Sequence, residues 1–131
     1  MLNKKAQSGL EYLFLLGIFL VALVPIFVYS IDTAYISIRA SQSQEAVQTI
    51  ATAADNLYKL GGGKTTIFVT IPSNVNSSRV INKTINLRLN IGGSFGDALA
   101  ITEANVNGSI PISEGLKKIT LEVIGNTVQI T

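Results

Sequence analysis

From Tyr12 to Ile31 the chain reads YLFLLGIFLVALVPIFVYSI and carries no charge. About 20 residues at 1.5 Å each make a helix of roughly 30 Å, the thickness of a bilayer's hydrocarbon core. A helix that is apolar on every side needs cover on every side. The whole chain has 131 residues, room for one small domain plus an accessory element and too little to wrap such a helix. The run is therefore expected to meet lipid, or copies of itself, at some stage. Lys4 and Lys5 precede it, and positive charge beside a span holds that end in the cytoplasm. Everything after Ile31 is then expected outside. No small-x-small cleavage site follows in SIDTAYISIRA, so the apolar segment is expected to stay attached to the mature protein.

Beyond Ile31 the pattern becomes amphipathic without a break. Ile31, Tyr35, Ile38, Val47, Ile50, Ala54, Leu57 and Leu60 fall largely at three- and four-residue steps, one stripe of a helix. Ser41, Gln42, Ser43, Gln44, Glu45 and Gln48 supply its polar side. Gly61-Gly62-Gly63 should end it, because glycine accepts the left-handed geometry of a helix C-cap. A helix from about Ser8 to Leu60 would be on the order of 80 Å long. Pro25 lies inside and should kink or loosen it, having no N–H to donate.

After the glycines the period switches to two. Thr66–Ile71 is a strand candidate, and Thr84–Ile91 alternates without a fault, with Ile85, Leu87, Leu89 and Ile91 on one face. Ile119–Ile124 and Thr127–Ile130 flank Gly125-Asn126, a two-residue hairpin signal. Weaker strands are expected at Val80-Ile81, Leu99–Ile101 and Ile110–Ile112. Turns are expected at Pro72-Ser73-Asn74, Gly92-Gly93-Ser94, Gly96-Asp97, Asn107-Gly108 and Glu114-Gly115.

A β-domain of some 68 residues is marginal as an independent core, so one sheet face should pack on the amphipathic helix. The expected class is α+β: a long N-terminal helix, apolar then amphipathic, against a C-terminal antiparallel sheet or sandwich. The chain divides accordingly into residues 1–6, the basic leader; 7–31, the apolar helix; 32–63, the amphipathic helix and glycine linker; and 64–131, the β-rich head.

Composition narrows the chemistry. Cys, His and Trp are absent, which removes thiolate and imidazole metal sites, Cys or His catalysis and disulfides. No carboxylate pair or Ser/Lys dyad stands out; Asp97 and Glu103 read as solvated loop acids. No catalytic residue, metal or cofactor is expected, and the chain is not expected to be an enzyme. The net charge is +2, yet with Lys4 and Lys5 set aside the cations and acids balance. The remaining adjacent cation pair is Lys117-Lys118, so the head lacks the basic patch of a nucleic-acid binder.

The run Lys4-Lys5-Ala6-Gln7-Ser8-Gly9-Leu10-Glu11-Tyr12-Leu13 resembles the class III signal peptide of archaeal type IV pilins. That pattern is matched at Gln7, Glu11 and Leu15 and departs at Gly9, where Ser is commoner; Ser8 sits one place early. The resemblance covers about the first 30 residues closely. It implies that a prepilin peptidase cuts between Ala6 and Gln7, recognising Lys4, Lys5, Gly9 and Glu11. It further implies a homo-oligomeric helical filament, serving adhesion, built after a membrane stage through the apolar helix. Glu11, Leu16, Gly17 and Pro25 are the positions expected to take part in assembly. The physical reading agrees: removing both lysines frees the helix to leave the bilayer. Glu11 is costly at the edge of an apolar segment unless the freed amine of Gln7 neutralises it. Two other readings stand beside this one, a monomeric membrane-anchored surface binding protein and an archaellin of the motility filament. The Gln7 and Glu11 pattern favours a pilin over the latter.

Two further motifs invite readings. Gly61-Gly62-Gly63-Lys64-Thr65 is similar to the end of a phosphate-binding loop, but the spacing needs glycine where Tyr58 stands, and the order is helix to strand. It reads as a cap and linker. Asn76-Ser77-Ser78, Asn82-Lys83-Thr84 and Asn107-Gly108-Ser109 are sequons, and outside placement makes Asn76, Asn82 and Asn107 candidates for N-glycosylation. Asn82, near a strand start, is the weakest on sequence grounds.

Coexpression with a matching prepilin peptidase is expected to remove residues 1–6 and leave Gln7, free or cyclised, at the N-terminus. Altering the Ala6–Gln7 junction or the two lysines should impair the cut. Intact mass and N-terminal sequencing report the result, and a mature start beyond Ile31 would rule the pilin reading out.

Overall fold

The computed structural model describes residues 3–131. One helix, α1, runs Lys4–Lys59, followed by β1 (Lys64–Ile71), β2 (Val75–Ile91), β3 (Ser94–Gly108), β4 (Gly115–Ile124) and β5 (Thr127–Ile130). The chain divides into two compact units between Tyr35 and Ile36. The second unit therefore holds the amphipathic part of α1 together with the sheet.

The α+β class expected from the pattern is the one observed, a long N-terminal helix packed on a sheet. Ser43, Ala46, Val47, Ile50, Ala51, Ala54 and Leu57 are buried, a stripe at helical spacing. They meet the inner residues of all five strands, among them Ile71, Ile85, Leu87, Val106, Leu121 and Ile130. Three alanines in the stripe shorten the distance the sheet must keep. The stripe is shorter than the apolar pattern suggested: Ile31, Tyr35, Ile38 and Leu60 are exposed. Ser43, placed on the polar side by its chemistry, is fully buried, and its hydroxyl has no hydrogen-bond partner. Pro25 lies within α1 without ending it. The helix stops at the triple glycine; Gly61 takes φ 82° and donates to the Tyr58 carbonyl at 3.0 Å, tightening the last turn.

The sheet is single and mixed, in the order β1-β4-β5-β3-β2. All pairings are antiparallel except β3 with β5, which run parallel from Asn105↔Thr127 to Gly108↔Ile130. Gly125-Asn126 makes the expected tight turn between β4 and β5. Gly96-Asp97 is not a turn but part of β3, and Ile110–Ile112 is not a strand. Pro111, which has no N–H to offer a ladder, interrupts that segment, and Ile110 is buried from a loop instead. Gly108 is obligatory where it stands. At φ 132° a Cβ would fall 1.9 Å from the Ile130 carbonyl oxygen.

Two irregularities shape β2 and β3. Asn90 donates to the Asn74 carbonyl at 2.9 Å, although about 16 extended residues would span roughly 50 Å. The chain must therefore double back within β2. It does so at Asn82, which has φ 56° and where the pairing with β3 shifts register. Opposite, the stretch of β3 from Thr102 to Asn105 drops out of the pairing with β2 as a bulge. Asp55 of α1 caps this bulge, its carboxylate accepting from the N–H groups of Glu103 at 2.9 Å and Ala104 at 3.2 Å. The Thr102 hydroxyl donates to the Ala104 carbonyl at 2.7 Å, and Lys59 pairs with Glu103 at 3.1 Å.

A fragment starting at Ile36 is expected to fold and stay soluble, whereas one starting at Lys64 should aggregate or remain unfolded. The latter loses Val47, Ile50, Ala54 and Leu57 from the core, each large side chain contributing about 1.5–3 kcal/mol to a total stability of only about 5–15 kcal/mol. Equal solubility and equal dispersion of amide NMR signals for the two would remove the helix from the core. Within the Ile36 fragment, Asp55→Ala should cost about 1 kcal/mol, since it removes a charged acceptor from one exposed and one half-buried backbone N–H. Ser43→Ala should be neutral or stabilise by about 1 kcal/mol, since it deletes an unsatisfied hydroxyl. Urea midpoints separate the two, and a clear loss on Ser43→Ala would contradict the packing described.

Candidate functional site: the apolar helix

The N-terminal part of α1 carries the residues singled out in the sequence. Helix begins at Lys4 rather than near Ser8, so the Ala6–Gln7 bond lies inside the first turns. The Asn3 carbonyl accepts from Ala6 at 2.8 Å and from Gln7 at 3.1 Å, and the Ser8 hydroxyl donates to the Lys4 carbonyl at 3.0 Å. Lys, Ala and Gln are good helix formers, which explains why the helix propagates back to Lys4. The turn is nevertheless weak. Lys4 and Lys5 lie at the positive end of the helix dipole, and no acid occupies the first turn. A peptidase that needs an extended backbone would have to open only this turn.

Lys4, Lys5, Ala6, Gln7, Gly9 and Glu11 are all exposed. Glu11 has no ion-pair partner among the described residues. From Tyr12 to Ile31 fifteen large apolar side chains are exposed. The best 18-residue window has a mean hydropathy of 2.6, and 0% of it is buried. The helix is thus long and apolar enough to cross a membrane. Covering its side chains would release on the order of 20 kcal/mol or more, at about 1.5–3 kcal/mol each. That exceeds the net stability of a typical domain.

Two hydroxyls at and just beyond the end of this stretch are turned back onto the helix. Ser30 donates its hydroxyl to the Ile26 carbonyl at 2.9 Å, and Thr33 donates to Tyr29 at 2.9 Å. Such back-bonding spends a hydroxyl on the helix itself. Pro25 works the other way: lacking an N–H, it leaves the Val21 carbonyl without its usual partner. Gly17 makes a notch in the surface, where an added Cβ would meet nothing within 4 Å. Leu10, Leu13, Phe14, Ile18 and Val21 border that notch as a shallow apolar groove, while Leu16 is exposed close by in sequence.

The sequons lie elsewhere, on the sheet. Asn76, Asn82 and Asn107 are all exposed. Asn76 is in the first arm of β2, Asn82 at its bend and Asn107 in β3. Asp97 is paired with Arg88 at 3.8 Å, and the Arg88 guanidinium stands 5.0 Å from the centre of the Phe95 ring. Asp55 was not singled out from sequence, although a signal existed. It is a lone acid near a helix C-terminus, where the dipole disfavours it, and such a placement asks for a tertiary partner. Comparison with family models, with characterised proteins and with solved structures finds no match to this chain.

Proposed function

We propose that this chain is a structural subunit of a surface filament, an archaeal type IV pilin precursor, and not an enzyme. A prepilin peptidase removes residues 1–6, the apolar helix leaves the membrane, and copies of it pack into the filament core while the β-rich head faces outward and serves adhesion. The observation that carries the reading is the helix from Tyr12 to Ile31, uncharged, uncovered and at the start of one continuous α1. Lipid satisfies it before assembly, and neighbouring copies satisfy it afterwards. The leader-like run from Lys4 to Glu11 supports the filament over a permanent anchor, because it supplies the means of removing Lys4 and Lys5. Glu11 then serves as counter-ion to the new amine of Gln7, within one chain or between neighbours, which relieves the cost of a charge held in an apolar setting.

Charge placed deep in the helix tests this directly. Leu16→Lys costs about 2.5–3.5 kcal/mol on insertion scales, often tolerable in a long span. Between packed helices the cation would have no water and no acidic partner. Cleavage should proceed and filaments should be absent. Glu11→Gln keeps size and removes charge, and is expected to leave cleavage normal while assembly slows or falls. Electron microscopy of cell surfaces and sheared fractions reads both. Abundant normal filaments from the Leu16→Lys chain would favour a monomeric membrane-anchored surface protein instead.

A further inference from the structure

The three sequons are equivalent as motifs but not as surfaces. Transfer of a glycan to a folded protein requires the carboxamide to leave the surface and enter a transferase. Backbone locked into a ladder resists that, and backbone at a bend does not. Asn107 is locked. It lies in β3 between two paired strands, opposite Ile81 of β2 and Gln129 of β5. Its side-chain oxygen accepts from the Gly108 N–H at 2.9 Å, and Gly108 is itself paired with Ile130 so closely that a Cβ would not fit. Asn76 is obstructed differently. The hydroxyl that completes its sequon belongs to Ser78, which is half-buried and donates to the Ile110 carbonyl at 2.8 Å.

Asn82 is held less tightly: its backbone pairs with Val106 of β3 and, among the described residues, with no second strand. It stands at the reversal of β2, an edge strand, with φ 56° and the register shift beside it. The residue is exposed, its sequon partner Thr84 is half-buried, and neither side chain makes a hydrogen bond within the protein among the described residues. A shallow polar concavity bounded by Ile81, Asn105 and Thr127 opens beside it and is shared with Asn107, so the two sites differ in how firmly each is held and not in the surface next to them.

We propose that Asn82 is the acceptor of an N-linked glycan on the folded head, and that Asn76 and Asn107 are not. The inference rests on the outward placement of the head proposed above. In the transfer, Nδ2 of Asn82 forms a bond to the anomeric carbon of a sugar carried on a lipid phosphate. The bond from that carbon to the phosphate oxygen breaks, the lipid phosphate leaves with the electron pair, and one amide proton passes to solvent. No oxidant or reductant is needed.

The test is expression of the full chain in an N-glycosylating archaeal host, followed by peptide mass spectrometry of the membrane and surface fractions. Sugar mass is expected on the Asn82 peptide, with the Asn76 and Asn107 peptides bare, and Thr84→Ala should abolish it. A control separates failure of the site from failure of the outward placement. Asn76→Thr removes one sequon and creates another at Asn74, an exposed residue in the turn before β2. Sugar on Asn74 with Asn82 bare would overturn the assignment while leaving the head outside. Sugar on Asn76 or Asn107 in preference to Asn82 would overturn it as well. If Asn74 and every native sequon stay bare, the outward placement fails and the proposal falls with it.

Discussion

Burial of the stripe from Ser43 to Leu57 against the sheet is the contact on which the rest of the head depends. The five strands have an inner face made of Val, Ile, Leu and Ala, and nothing within the sheet itself can cover it. The helix does so with small residues at Ala46, Ala51 and Ala54 and larger ones at Val47, Ile50 and Leu57. Alternation of size lets the layer interdigitate instead of standing off. The same helix also completes the sheet where strands are missing. Since β5 pairs with β3 only from Asn105 to Gly108, the earlier part of β3 has no strand on that side. There Gln44 donates to the Leu99 carbonyl at 2.9 Å, and Asp55 accepts from Glu103 and Ala104. Tyr58 adds a bond to Asn126 at the β4–β5 turn, 2.7 Å long. Helix side chains thus act as a substitute ladder, which ties the apolar contact to a single register.

What was legible in the sequence follows from which forces are local. The change of period at Gly61–Gly63 and the alternation from Thr84 to Ile91 reflect side-chain geometry alone, and both survive in the structure. The hairpin at Gly125-Asn126 is equally local. The parallel pairing of β5 with β3 is not, because strand order depends on where a connection returns, and alternation is blind to direction. Gly96-Asp97 has the composition of a turn, yet cross-strand pairing with Leu89 and Arg88 holds it extended. Ile110–Ile112 has the composition of a strand, and Pro111 denies it a ladder. Ser43 looked polar and is buried, since its position on the stripe outweighs one hydroxyl.

The functional reading was legible to a different degree. Its central residues are the uncharged run and the basic start, both visible in sequence, and folding leaves the run without cover. The sequons show the reverse case. Sequence ranked Asn82 last because it stands near a strand start. The fold puts it at a bend, which the long-range bond between Asn90 and Asn74 reveals and no local pattern announces.

The two parts of α1 solve opposite problems with the same backbone. Residues 43–57 present one apolar side, and that side is consumed by the sheet. Residues 12–31 present apolar surface all round, dominated by Leu, Ile, Val and Phe, with the Ser30 hydroxyl, and that of Thr33 just beyond, turned back onto the helix. In water the first arrangement is complete and the second is not. Moving the second into lipid or among like helices removes that deficit but raises the cost of every unpaired polar group. Such groups include the Glu11 carboxylate and the Val21 carbonyl opposite Pro25, beside the phenol hydroxyls of Tyr12 and Tyr29. Any phase that receives this helix must therefore offer a cation near its start and tolerate one missing hydrogen bond about three turns further on. The first demand is chemically specific, and in the proposed filament the Gln7 amine released by processing is the group placed to meet it.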